Sequence, residues 1–340
     1  MMKRIALLII CIVALIASCK RDLLKINVSK IDLEIEILRF DQDLFTTNPE
    51  DLPEAIPVLA EKYGRFLSLF NRVINIGEIN SPGYIDMMNA FLTDKINNEV
   101  YEETIMEYPD LEDLDEKLTR AFKHYRFYFP EKEIPAIYTF VSRFNTSLIV
   151  DKNIIGIGLD RYLGADCEYY RQLGLTNYMR EKMHRDKIVT DCMYVWANTE
   201  WVFEGDGSGE KPGQNVLNNM IYQGKLFYFV KAMMPREREE LIMGFSPEQL
   251  KWCEMNERNM WSYLIENKLL FDTNYMTINK LIQDGPFTSY FPRESPARAS
   301  VWIGLQIVEK YMSNMHEMSL QKLMDESDYQ QILSLSGYDP

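Results

Sequence analysis

An uninterrupted apolar run of twelve residues, Ile5 to Ile16, follows the basic pair Lys3-Arg4 and ends in Ile16-Ala17-Ser18-Cys19. A helix of that length rises about 18 Å, well short of the roughly 30 Å hydrocarbon core of a bilayer, so the run is no spanning anchor. A basic start, a short apolar middle and a small-residue end make the pattern of an export signal that is removed. No later segment reads as apolar enough to span a bilayer. The remaining chain must therefore bury its apolar residues in a core of its own, and residues 1–18 do not belong to that fold.

The hydrophobic-small-small-Cys ending also resembles the bacterial lipobox, whose cysteine thiol receives a diacylglycerol before cleavage. That resemblance makes Cys19 the lipidation site and the lipid membrane its first partner. One acyl chain binds a membrane only marginally, at about 0.8 kcal/mol per buried CH2, so two or three chains are needed for a durable anchor. The expected organisation is a removed signal over 1–18, a lipidated cysteine and tether over 19–30, and a single globular domain over 31–340.

Charge narrows the partners. Removal of the signal takes Lys3 and Arg4 with it and leaves 35 basic against 51 acidic residues. A nucleic-acid binder needs a basic face to displace phosphate counterions, so nucleic acid is excluded as an expected partner. The acid excess also disfavours adsorption to anionic head groups, which leaves anchoring to the lipid. Beyond Cys11 and Cys19 stand Cys167, Cys192 and Cys253, an odd set without C-x-x-C spacing. They read as buried small hydrophobes, not as a disulfide framework.

Periodicity gives the elements. Ile31, Leu33, Ile35 and Ile37 alternate with Asp32, Glu34 and Glu36, the period of a half-buried strand. From Pro53 to about Phe129 the period is helical: Leu111, Leu114, Leu118, Ala121, Phe122 and Tyr125 recur at spacings of three and four. Asp110 to Glu116 reads as an acidic helix start favoured by the macrodipole. Strand-like runs follow at Ile137–Val141, Leu148–Val150 and Ile154–Leu159, with turn residues between them. After Gly164 the pattern is mostly helical. Glu204-Gly-Asp-Gly-Ser-Gly-Glu210 breaks it as a flexible loop between a helix ending near Trp201 and one beginning near Gln214. The fold class is α+β, mostly helical with a small central β-sheet.

Motifs that carry chemistry are absent. His316-Glu317 opens like a zinc helix, but Leu320 stands where H-E-x-x-H needs its second imidazole. Gly205-Asp-Gly-Ser-Gly209 is neither a nucleophile elbow nor a P-loop, and Glu204, Asp206, Ser208 and Glu210 lack EF-hand spacing. No cofactor is expected.

Four separated strings agree with one family. They are the lipobox start, Ile154-Ile-Gly-Ile-Gly-Leu-Asp-Arg-Tyr-Leu-Gly164, Asn218-Asn-Met-Ile-Tyr-Gln-Gly-Lys-Leu-Phe-Tyr-Phe229 and Ala297-Arg-Ala-Ser-Val-Trp-Ile-Gly-Leu-Gln-Ile-Val-Glu-Lys-Tyr-Met312. In this order they resemble the GldB gliding-motility lipoproteins of the Bacteroidetes. The resemblance implies a periplasm-facing lipoprotein associated with the envelope machinery of gliding and type IX secretion, with other envelope proteins as partners. A more distant likeness is to zincin-type zinc peptidases, which place a Glu-Gly pair on the helix after H-E-x-x-H. Here Gln223 precedes Gly224, and the preceding helix carries Asp191, Cys192, Tyr194 and Trp196 without a histidine. Glutamine is a poor zinc ligand, so this likeness implies a degenerate zincin-like fold whose metal site is lost.

Three functions compete at this point. The first is a non-catalytic envelope lipoprotein that binds other proteins, a pseudo-peptidase. The second is a metal-dependent hydrolase of peptide or peptidoglycan, for which Asp191, Cys192, His184 and Gln223 are the candidates. The third is a glycan or small-molecule carrier using Trp201, Trp252 and Trp261, each of which also suits core duty. If a cleft lies between sheet and helices, the Gly205 to Gly213 loop is the expected lip.

Overall fold

The structure, a computed structural model, describes residues 24–203 and 215–340. The expected export signal, Cys19, and the stretch from Glu204 to Gly213 expected as a loop lie outside those residues, as does the expected helix start at Gln214. In chain order come β1 (Ile37–Leu38), α1 (Phe40–Phe45), α2 (Leu52–Tyr63), α3 (Arg65–Val73), α4 (Tyr84–Thr93), α5 (Lys95–Glu107) and α6 (Glu112–Tyr128). Three strands follow, β2 (Ala136–Phe140), β3 (Leu148–Asp151) and β4 (Ile154–Gly158). The rest is helical: α7 (Glu168–Gln172), α8 (Asn177–Arg180), α9 (Lys187–Glu200), α10 (Val216–Met233), α11 (Glu239–Met243), α12 (Pro247–Glu266), α13 (Tyr275–Ile282), α14 (Ala299–Asn314), α15 (Leu320–Asp325) and α16 (Tyr329–Ser336). This is the expected α+β class. No helix among the described residues is long and apolar enough to cross a membrane.

The sheet has the order β1-β2-β4-β3, with β1, β2 and β4 parallel and β3 antiparallel at the edge. Its central strands are buried on both faces, so they read as β-rich runs without polar alternation. Tyr138, Phe140, Ile149 and Ile154 pack under the α1–α4 layer, where Phe40 sits edge-on to Tyr63, Phe66 and Phe70. Ile137, Ile155 and Ile157 point the other way, into the larger core built by α6, α9, α10 and α14.

The first expected strand is largely not one. Burial does alternate from Ile31 to Ile37, but only Ile37–Leu38 pairs in the sheet. The neighbours of this segment are helical side chains: the Ile35 N–H donates to Thr119 Oγ1 at 2.9 Å and the Ile37 N–H to Asp115 Oδ1 at 3.1 Å. Alternation reports one wet and one buried face, which an extended segment lying along a helix satisfies as well as a strand does. The acidic start of α6 is as expected. Asp113 pairs with Arg185 and Lys117, and Asp115 holds the β1 entrance.

Helices α10 and α14 form the centre of the larger core, and α10 is buried almost all the way round. They approach backbone to backbone. A Cβ on Gly304 would stand 1.9 Å from the Met220 carbonyl oxygen, and one on Gly224 would stand 2.4 Å from the Gly304 carbonyl carbon. The buried Lys225 of α10 serves the end of α15, its ammonium donating to the Met324 carbonyl at 2.9 Å and to that of Glu326. A cation is stabilised at that helix terminus, although burial lowers its pKa to about 8.

Candidate functional site

Helix α9 separates two duties by its spacing. Cys192, Met193 and Trp196 point into the core, while Lys187, Thr190, Asp191, Tyr194 and Val195 form the opposite stripe. That stripe is one wall of a cleft of about 530 Å³. Other walls come from Asn145 to Leu148 at the start of β3, from Phe227 of α10, from Ile242 and Met243 of α11, and from Lys182 and Arg298. A smaller cavity of about 180 Å³ lies alongside and shares Lys182 and Lys187 with it.

Asp191 is held from two sides. Lys187 lies 3.1 Å from Oδ1, and the Tyr162 hydroxyl donates to Oδ2 at 3.1 Å. Burial, with Asp191 beside it, keeps that phenol protonated well above its ordinary range. Gln223 projects from α10 toward α9, and the Tyr194 hydroxyl donates to its Oε1. Burial likewise raises the Tyr194 pKa. Cys192 is fully buried on the core side, and desolvation pushes its thiol far above the range in which a thiolate nucleophile forms. His184 is half-buried in the smaller cavity, its backbone bridged to Leu163, and burial lowers its pKa.

The structure therefore brings Asp191 to the cleft and joins Gln223 to Tyr194, which also faces it. It turns Cys192 into the core and places His184 in the next cavity. Cys167, Cys192 and Cys253 are all buried free thiols, as their spacing implied. Of the tryptophans, Trp261 is buried and Trp201 and Trp252 are half-buried against the core. Trp201 packs on Phe129 and Phe229 and donates its indole N–H to Asp325 at 2.9 Å. None of the three forms a bare stacking platform. Among the described residues, no three His, Cys, Asp or Glu side chains converge as a metal-ligand set.

Sequence reasoning missed Tyr162, Lys182, Asp284 and Arg298, which lie far apart in the chain and meet only at this cleft. It missed the floor beneath them as well. Asp160 is fully buried and accepts the Ser142 and Phe144 N–H groups at 3.1 and 2.6 Å. It thereby fixes a turn in which Arg143 and Phe144 both have positive φ, and this turn delivers Asn145 to Ser147 to the cleft. Desolvation raises the Asp160 carboxyl to about 6. The nearest local signal was the Gly156-Ile-Gly-Leu-Asp160 string, which carried the family likeness without revealing the carboxylate's role.

Comparison with known proteins gives one family. A model described as gliding motility protein GldB matches residues 21–340. No curated protein and no solved structure matches.

Proposed function

The chain belongs to the GldB gliding-motility protein family, and from that premise we propose that it is a non-catalytic lipoprotein of the cell envelope, held by Cys19 and docking other envelope proteins. The observation that carries the non-catalytic part is the pairing of Tyr194 with Gln223. On α9, Thr190-Asp191-Cys192-Met193-Tyr194 occupies the spacing of H-E-x-x-H, and Gln223 stands one helix away before Gly224. In a zinc peptidase those three ligand positions would each present a lone pair to the metal. Here a hydroxyl, a phenol and an amide stand at them, and the last two satisfy each other. Asp191, at the position of the general base, is neutralised by Lys187. This supports a degenerate zincin-like site kept as architecture.

The test restores the ligands. Wild-type full-length chain purified without chelator is expected to hold less than about 0.1 equivalent of zinc, and the triple variant T190H/Y194H/Q223E about one, since a tetrahedral site takes three protein ligands and water. Near one equivalent in the wild type would overturn the non-catalytic reading. A folded triple variant that binds none would overturn the zincin-like geometry alone. The partner half is tested by cross-linking in cells with the wild-type chain and a Cys19→Ala variant. Loss of the same envelope cross-links without the anchor is expected, and no reproducible cross-link from the wild type would count against a docking role.

A further inference from the structure

Three basic side chains, two through their charged ends and Lys182 through its stem, converge on bare backbone between the two cavities. A Cβ added at Gly244 would lie 3.5 Å from Arg298 Nη2, 3.7 Å from Lys182 Cδ and 3.7 Å from Lys187 Nζ. That position is empty of side chain because Gly244 ends α11 with φ +68°, the left-handed turn that favours glycine. Lys182 and Lys187 face both cavities, and Arg298 faces the larger one.

Two carboxylates serve these three cations. Asp191 pairs with Lys187, and Asp284 pairs with Lys182. Arg298 Nε comes no nearer to Asp284 than 3.8 Å, and this buried N–H donates to no acceptor among the described residues. Arg298 Nη2 donates to the Met243 carbonyl at 2.8 Å, and Lys187 Nζ to that of Leu241 at 3.0 Å. Arg161 adds a fourth positive charge to the cleft, with the Ser147 hydroxyl and the Phe144 carbonyl as its acceptors. The cleft thus carries excess positive charge inside a chain of net charge −14. Burial pushes the Lys182 ammonium below its ordinary range; Arg298 adds to that and Asp284 opposes it.

A buried guanidinium N–H without an acceptor is costly, and an oxyanion supplies that acceptor through a charge-assisted bond. One part of the wall beyond the cations is apolar, made by Phe227, Ile242, Met243 and Leu148, beside polar groups from Asn145 to Ser147, Thr190 and Tyr194. At about 530 Å³ the cleft is also of the size that holds small organic ligands, larger than an inorganic ion needs. We infer that the cleft binds an organic anion, with its carboxylate or phosphate seated over Gly244 between Arg298, Lys182 and Lys187 and its apolar body against Phe227, Ile242 and Met243. This goes beyond the proposed docking role, and it holds whether or not the cleft ever performed catalysis.

The full chain, purified in detergent, is titrated by calorimetry with N-acetylphenylalanine, phenyl phosphate, inorganic phosphate and the neutral N-acetylphenylalanine amide. At least one aromatic anion is expected to bind, to weaken with added salt, and to exceed the amide and inorganic phosphate by about tenfold. Its affinity should fall about tenfold in Arg298→Gln and again in Lys182→Gln, each first shown to be folded by its melting curve. Preference for N-acetylphenylalanine assigns a carboxylate ligand, and preference for phenyl phosphate a phosphate ester. The inference is overturned if neither aromatic anion binds, if the amide binds as tightly as the acid, or if both folded variants keep wild-type affinity. Equal binding of inorganic and phenyl phosphate would overturn the apolar half of the site.

Discussion

Helix α10 shows two packing regimes a few ångströms apart. Toward α14 it presents Met220 and Gly224 to a seam so close that backbone touches backbone. Toward α9 it presents Gln223 and Phe227, whose neighbours are a phenol, a guanidinium and an open cleft. The seam has no free volume and no flexible atom at the contact. The cleft is held together by side chains that can reorient or be solvated. Substitution should therefore be felt very unequally on the two sides of one helix.

The largest effect is expected at the seam itself. In Gly304→Ala the new methyl would overlap the Met220 carbonyl, and only whole-helix displacement could relieve it. Such overpacking costs about 3 kcal/mol or more. Loss of soluble folded protein, or a large drop in melting temperature, is the expected result. An alanine variant that melts like wild type would break the comparison. Phe229→Ala, fully buried on the face of α10 that packs against α6, removes packing against Phe129, Trp201 and Tyr125. A loss of about 3–5 kcal/mol in denaturant unfolding is expected.

An acid titration of stability sharpens the contrast, because the larger core and the ground beneath the cleft bury ionisable groups of opposite sign, His124 and Asp160. His124 lies buried on α6 in the larger core, and burial lowers its pKa from 6.5 to about 4. Its contribution to stability is complete above pH 6.5 and is lost as pH falls through about 4. Asp160, under the cleft, has a pKa raised from 3.8 to about 6. Its contribution is complete below pH 3.8 and is lost as pH rises through about 6. Between those limits the two slopes oppose. His124→Leu should flatten the acid loss, and Asp160→Asn should make it steeper. Melting curves from pH 3.5 to 7.5 that leave either slope unchanged would remove that residue from the account.

The smallest effects belong to the cleft. Tyr194→Phe and Gln223→Ala each remove one partly buried hydrogen bond, worth about 1 kcal/mol, and should leave the fold intact. A loss as large as that of Phe229→Ala would show that the cleft is as tightly sealed as the larger core. Thiol labelling gives a near-zero companion result: Cys167, Cys192 and Cys253 are buried, two of them fully, and should react with an aromatic disulfide only after unfolding.

Most helices were legible because their periodicity of three and four states which face is buried, as in Leu114, Leu118, Ala121 and Phe122 of α6. The strands of the sheet centre were legible as β-rich runs bounded by turn residues. The alternation from Ile31 to Ile37 misled, because it encodes burial by face and not the identity of the pairing partner. The cleft was legible only in part. Asp191 and Gln223 could be suspected only through the distant likeness to zincin-type peptidases, whereas Arg298, Lys182 and Asp284 carry no local pattern at all.

The division has a physical cause. Local regularities fix the elements and the faces they must bury, since both depend on residues a few positions apart. The sequence also contains the basic-apolar-Cys19 start and the family strings, which need no fold to be read. Tertiary packing decided what distance along the chain conceals. It set Gly224 against Gly304, turned Cys192 inward and Asp191 outward, and gathered Lys182, Lys187 and Arg298 around Gly244. A charge cluster drawn from residues 182 to 298 exists only after the helices between them have packed.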